Sequence, residues 1–133
     1  MKRLLLSALI LGLPAVASAQ QPAGDAAKGE QIFKTCGICH DIGPTAKIKV
    51  GPPLNGIVGR PWASWPGYSY SKGLQDGKAK GNVWTVDMIE KWLENPRALV
   101  AGTKMIFPGL KTADQRANVI AYLSQFDIKG NKK

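Results

Sequence analysis

Cys36, Cys39 and His40 fall within one run of five residues, Cys-Gly-Ile-Cys-His. Two thiols at this spacing can act as a redox dithiol, close a disulfide, supply half of a zinc site, or add to the two vinyl groups of a haem. A dithiol oxidoreductase calls for a βαβ pattern around the motif, which the sequence lacks. A zinc site usually takes four ligands, and the chain offers two cysteines and one histidine. A disulfide over so short a loop closes too little chain to stabilise much. Attachment of one c-type haem uses all three residues. Each sulfur forms a thioether to a vinyl carbon, and His40 follows directly, placed to reach the iron as its proximal ligand.

A haem iron has a second axial position. With one histidine in the chain, a bis-histidine centre is excluded within one molecule. Met88 and Met105 are the soft candidates. Met88 lies on an amphipathic helical stretch, where a methionine serves as core filler. Met105 lies in a loop between Gly102 and Pro108-Gly109, which can aim a side chain at a fixed point. Met105 is the expected iron ligand. His/Met ligation raises the potential and fills both axial positions, which suits electron transfer and leaves no open site for oxygen or peroxide.

The elements that must position these residues are helical. Asp25 is an N-cap for a helix over Ala26 to Thr35, with Ile32 and Phe33 on its core face and Gly29 marking a close helix approach. Thr85 caps a helix from Val86 to Asn95, whose apolar face is Met88, Ile89, Trp92 and Leu93; Pro96 ends it. A short turn is expected at Arg97 to Val100. Thr112 and Gln115 have capping-box spacing for a last helix from Ala113 to about Phe126. The tail from Lys129 is polar and expected to fray. From Asp41 to Asn82 the chain is rich in glycine and proline without clear periodicity, yet it carries Leu54, Ile57, Val58, Trp62, Trp65, Tyr68 and Tyr70. So many apolar residues in a long loop imply packing against something flat, and a haem is the natural candidate. The expected fold is all-α: three main helices plus long loops wrapped around one covalently attached haem.

The start of the chain reads as a secretion signal. Lys2 and Arg3 are its charged region, Leu4 to Leu13 its apolar region, and Ala17-Ser18-Ala19 a small-residue cleavage site. The apolar run is short for a membrane anchor and is interrupted by Pro14. Cleavage after Ala19 leaves a domain over residues 20–133 and, by removing Lys2 and Arg3, lowers the formal charge from +9 to +7. Export to the periplasm agrees with thioether chemistry on two thiols. The basic balance points to an acidic protein partner rather than nucleic acid, since no basic helical run is present.

The order of motifs resembles the class I cytochromes c, of the mitochondrial and bacterial c2/c550 type. The resemblance rests on Cys36 to His40, Gly51-Pro-Pro-Leu-Asn-Gly-Ile-Val-Gly-Arg60, Leu93-Glu-Asn-Pro96, Gly102-Thr-Lys-Met-Ile-Phe-Pro-Gly109 and Ile120-Ala-Tyr-Leu123, and it covers Gly24 to about Phe126. It implies roles. Pro52 supplies the carbonyl that accepts the His40 Nδ1 proton. Arg60, Tyr70, Trp84 and Thr103 hold the haem propionates. Leu54, Leu93 and Phe107 pack on the haem, and Gly29 and Phe33 cross the last helix near Tyr122. Three features depart from the family pattern: a longer segment between Tyr70 and Trp84, Leu74 where a polar residue is common, and Trp92 where a tyrosine is common. The sequence offers no account of Trp62 and Trp65.

The function this implies is a soluble periplasmic one-electron carrier, not an enzyme, working as a monomer. It would shuttle between redox proteins such as a bc1 complex, a terminal oxidase, a reaction centre or a dehydrogenase, docked through a basic rim of Lys47, Lys49, Arg97, Lys104 and Lys111. The competing reading is a haem enzyme or ligand-sensing domain such as a peroxidase, which needs an open axial site and usually a distal acid/base group. A haem domain cut from a larger oxidoreductase is the third, and the signal and short tail favour a free-standing carrier.

Overall fold

The computed structural model describes residues 23–133; the expected signal over 1–19 and the first residues after it lie outside these. Five helices follow in order: α1 (Ala26–Cys36), α2 (Lys72–Ala79), α3 (Val86–Glu94), α4 (Pro96–Leu99) and α5 (Ala113–Leu123). Among the described residues there are two isolated β-bridges, Pro61 to Val83 and Phe126 to Lys132, and no helix is long and apolar enough to cross a membrane.

The three long helices begin where their caps dictate. Asp25 Oδ1 accepts from the N–H groups of Ala27 and Lys28 at 2.9 and 3.1 Å, and Thr85 Oγ1 accepts from Met88 N at 3.1 Å. Thr112 and Gln115 form a reciprocal capping box. α1 runs one residue past its expected end, through Cys36, and α3 stops at Glu94, with Asn95 in extended geometry before Pro96. Asn95 then caps the short α4, where a turn was expected.

α1 crosses α5, and glycine makes the crossing close. A Cβ on Gly29 would sit 2.8 Å from Tyr122 Cβ, and one on Gly24 would sit 2.7 Å from Asn118 N. Phe33 and Tyr122 pack ring to ring at 5.2 Å beside this crossing. Asp25 N donates to Asn118 Oδ1 at 2.7 Å and adds a polar tie. The core continues from Phe33 through Val119, Ile120 and Leu123 to Ile89, Leu93, Trp84 and Trp62.

Two segments differ from expectation. The long loop contains α2, whose sequence Lys-Gly-Leu-Gln-Asp-Gly-Lys-Ala has weak helix propensity because of two glycines. Tertiary contact overrides it: Leu74 is buried, Gly77 lies against the Trp62 ring, Gly73 against Val100, and Lys72 pairs with Asp76. The tail does not fray. α5 ends at Leu123, and residues 126–133 turn back on themselves. Asp127 N donates to Asn131 O at 3.0 Å, Asp127 Oδ1 accepts from Asn131 N at 2.9 Å, and Lys133 N donates to Gln125 O at 2.8 Å. This clasp packs on the loop after the attachment motif. Gly130 is buried, and a Cβ there would meet Asn55 Nδ2 at 2.6 Å, while a Cβ on Gly56 would meet Ile128 Cα at 2.9 Å.

Candidate haem site

The C-terminal end of α1 delivers the attachment residues. Cys36 closes the helix, and Cys39 N and His40 N both donate to its carbonyl at 3.1 and 2.9 Å, winding the motif into a tight turn. Both thiols are free and half-buried. Burial raises the Cys36 thiol above its usual value, with the neighbouring Cys39 adding to the effect.

His40 is fixed by the next loop. Its Nδ1 lies 2.7 Å from the Pro52 carbonyl oxygen. A carbonyl can only accept, so Nδ1 carries the proton and Nε2 keeps the lone pair a metal needs. Burial is the main cause that holds the imidazole below its usual value, and Arg60 and Lys49 push the same way against the Pro52 bond; the ring is neutral at pH 7. Gly51 makes the approach possible: a Cβ there would stand 2.6 Å from His40 Nδ1. The loop is sewn to the motif by Gly51 N to Cys39 O at 2.8 Å and Leu54 N to Asp41 O at 2.9 Å, and by the Lys49 ammonium on the Gly37 carbonyl. Asn55 clamps Gly43 through both ends of its amide, at 2.9 and 3.0 Å.

Met105 lies in the loop between α4 and α5, whose backbone is held on both sides. Thr103 N donates to Val100 O at 3.2 Å, Met105 N donates to Thr103 Oγ1 at 3.2 Å, and Leu110 N donates to Leu93 O at 2.7 Å. Gly109, at φ +91°, lets the chain pass α3 so closely that a Cβ would come within 2.8 Å of Glu94 C. Along 105–107 burial alternates, with Met105 and Phe107 half-buried and Ile106 at 87% exposure, the signature of an extended stretch facing one side inward. Arg116, buried on α5, ties the end of this loop to α3: Nε meets Glu90 Oε1 at 2.7 Å and an outer nitrogen meets Leu110 O at 2.7 Å.

Three of the expected propionate donors, Arg60, Tyr70 and Trp84, are brought into one region, and Thr103 lies in the Met105 loop. Arg60 is 7% exposed, and its outer nitrogens donate to Asn55 O at 2.7 Å and Pro53 O at 3.1 Å. No carboxylate among the described residues pairs with it. Burial lowers its guanidinium, and Tyr70, close enough to act on it, opposes that shift. The Tyr70 hydroxyl accepts from Trp65 N at 3.1 Å, so its own proton is free to donate; burial raises the phenol and keeps that proton in place. Trp84 is buried, and Trp84 N donates to Arg60 O at 2.9 Å. Thr103 is buried, and its hydroxyl, accepting from Met105 N, likewise keeps a proton to give.

Two features escaped sequence reasoning. Trp65 lies under the Arg60 guanidinium, 5.2 Å from carbon to ring centroid, a cation–π contact that helps hold a buried cation. Ser71 sits at the N-cap of α2 yet makes no capping hydrogen bond, and its buried Oγ has no partner. A serine flanking an unrecognised helix gives no signal in sequence. Arg60 Nε, Trp62 Nε1 and Ser71 Oγ are the buried side-chain polar atoms without a partner among the described residues. Unpartnered buried donors are costly, about 1–3 kcal/mol each, and a buried cation without a counter-charge costs more. A buried anion is the kind of partner that a buried cation and unpaired donors call for. This donor set, with a neutral imidazole aimed by Pro52 and two thiols one turn away, fits a covalent haem with carboxylate side arms.

The relatives agree. The chain matches the cytochrome c family over residues 26–127. It is 44% identical over 127 residues to cytochrome c2 of Blastochloris viridis, covering 94% of this chain and 98% of that one. It is 51% identical over 111 residues to cytochrome c-554 of Methylosinus trichosporium, covering 84% of this chain and 82% of that one. The solved cytochrome c2 of Rhodospirillum centenum superposes with a TM-score of 0.74 at 38% identity, over 78% of this chain and 99% of that one. With the attachment turn, the His40 loop and the helical frame already in place, these likenesses make the chain a member of the cytochrome c family, an electron carrier with one haem c bound covalently through Cys36 and Cys39.

Proposed function

We propose that His40 and Met105 are the axial ligands of this haem, and that the chain is a periplasmic one-electron carrier without enzymatic activity. The observation that carries the reading is the 2.7 Å bond from His40 Nδ1 to Pro52 O, which leaves Nε2 as the free donor to iron. When bound, the haem iron supplies a one-electron couple. The residues do the rest. Pro52 orients His40 and strengthens it as a donor. The pinned backbone around Met105 keeps a thioether available in both oxidation states. Arg60, Tyr70, Ser71, Trp84 and Thr103 hold the haem carboxylates, so little reorganisation follows electron transfer.

The test is made on the purified holoprotein. One reversible couple is expected, low-spin in both states, with no carbon monoxide binding by the ferrous form on mixing. Prompt carbon monoxide binding would mean an open axial site and favour the peroxidase or sensor reading. The intact mass of the same sample should equal residues 20–133 plus one haem; a mass that retains Met1 would mean that the signal is kept as an anchor.

The partners belong to the class of redox complexes such as a bc1 complex, an oxidase, a reaction centre or a dehydrogenase, met through a basic face by a monomer. Hydrogen bonds tie the segments that carry Lys49 and Lys104 together. The Lys49 ammonium reaches Gly37 O beside Ile38, Tyr68 Oη donates to Val50 O at 3.1 Å, and Lys104 Nζ donates to Ser69 O at 2.7 Å. Ile38, Val50 and Ile106 are 71, 75 and 87% exposed among these lysines. Rates with an acidic redox protein should fall steeply with salt, because screening acts over about 8 Å at physiological ionic strength. Arg97→Glu should slow them several-fold more than Lys129→Glu in the C-terminal clasp. Equal effects in stopped-flow kinetics would show that only net charge matters.

A further inference from the structure

The buried tryptophan for which the sequence gives no role is held from three directions. The Trp62 side chain is 4% exposed. Its ring stacks on Trp84 with centroids 4.8 Å apart and planes 27° from parallel. Trp62 N donates to Asn82 O at 3.0 Å, which fixes the backbone. The benzene edge lies against α2, where a Cβ on Gly77 would fall 2.6 Å from Trp62 Cζ3. In an indole, Nε1 is on the edge opposite Cε3 and Cζ3. Nε1 therefore faces away from α2, and it is buried with no partner.

The backbone shows what it faces. Residues 59–62 pair antiparallel with 82–84, through Gly59 N to Trp84 O, Trp84 N to Arg60 O, the bridge from Pro61 to Val83, and Trp62 N to Asn82 O. Alternate residues of such a ribbon share a face, so Arg60, Trp62 and Trp84 lie on one side and Pro61 and Val83 on the other. Arg60 brings a buried, unpartnered Nε to that same side. Buried indole N–H groups nearly always find an acceptor. We propose that Trp62 Nε1–H donates to the buried haem carboxylate that Arg60 serves, making Trp62 a positioning residue that tunes the potential. The proposal rests on the assignment of Arg60 and Trp84 to the haem carboxylates.

Trp62→Phe keeps the stack on Trp84 and removes the donor. A carboxylate that loses a donor presents more negative charge to the iron and favours the ferric state. The expected result is an unchanged low-spin spectrum and a ferric-to-ferrous ratio at fixed potential raised about three- to tenfold, where tenfold is 59 mV for one electron. The carboxylate stretch in the redox-difference infrared spectrum should rise in wavenumber in the same variant. In the wild-type holoprotein, ¹⁵N-labelling of the indoles should shift two N–H bands in that difference spectrum, one from Trp84 and one from Trp62; a single band would overturn the proposal without any variant having to fold. A potential and a carboxylate band both unchanged, with only the thermal midpoint lowered, would mean that Trp62 is packing or bonds a buried water, and would overturn the proposal. Failure of the underlying haem reading looks different: the wild-type protein itself would lack a six-coordinate low-spin spectrum.

Discussion

Replacing Met105 with alanine is expected to convert the haem to a high-spin or exogenously ligated form and to lower its potential by roughly a few tenths of a volt, within the ~0.8 V range that axial ligands set. The thioether is a soft donor that stabilises ferrous iron, and among the described residues no other methionine is presented on an extended, pinned loop. Met88 is the control. It lies half-buried on α3, with its N–H on the Thr85 cap, and packs against the core. Met88→Ala should cost stability, about 1–2 kcal/mol for truncating a half-buried side chain, and leave the low-spin spectrum in place. Visible and magnetic circular dichroism spectra of the two variants decide the matter. Loss of the iron–sulfur charge-transfer band in Met88→Ala and its retention in Met105→Ala would reverse the assignment.

Gly51→Ala should have the second largest effect. The added methyl would overlap the His40 ring, 2.6 Å from Nδ1. Either the ring turns away from the Pro52 carbonyl or the loop lifts from the attachment turn. Overpacking costs about 1–3 kcal/mol, and loss of the hydrogen bond adds about 0.5–1.5 kcal/mol. The electronic effect has a definite sign. An imidazole that no longer donates its Nδ1 proton to a carbonyl is a weaker base, so ferric iron is less stabilised and the potential should rise. Denaturant unfolding and voltammetry on one sample test both parts. A variant with the wild-type unfolding midpoint and potential would show that the loop accommodates the methyl freely, and that His40 is not held by Gly51.

Much of this site is legible in the sequence because it is made of local chemistry. The attachment motif is five consecutive residues, and the caps at Asp25, Thr85 and Thr112 announce three helices to within a few residues at their ends. The Pro52 contact follows from the family resemblance, and the loop places it as expected. What the sequence hides is set by contacts between distant segments. α2 forms in spite of Gly73 and Gly77 because those glycines admit Val100 and the Trp62 ring. Ser71 reveals nothing until its buried hydroxyl is seen to cap no helix. Trp65 gains its role only when Arg60 folds over it. The end of α5 falls short of Phe126 because the tail reverses there, a choice made by Gly43, Asn55 and Gly56 far upstream.

That reversal has a consequence for the order in which the chain can become a protein. α1, which ends in the attachment cysteine, finds its main helical partner in α5, and the clasp over residues 126–133 closes on the loop around Gly43 and Asn55. Both closures join the first and last parts of the described chain, so neither forms until the whole domain is available. Until then the thiols at 36 and 39 stand on a segment that has nothing to pack against. Contacts of such long sequence separation form late and at high entropic cost. The attachment turn is therefore held in its final place only once the two ends of the domain have met.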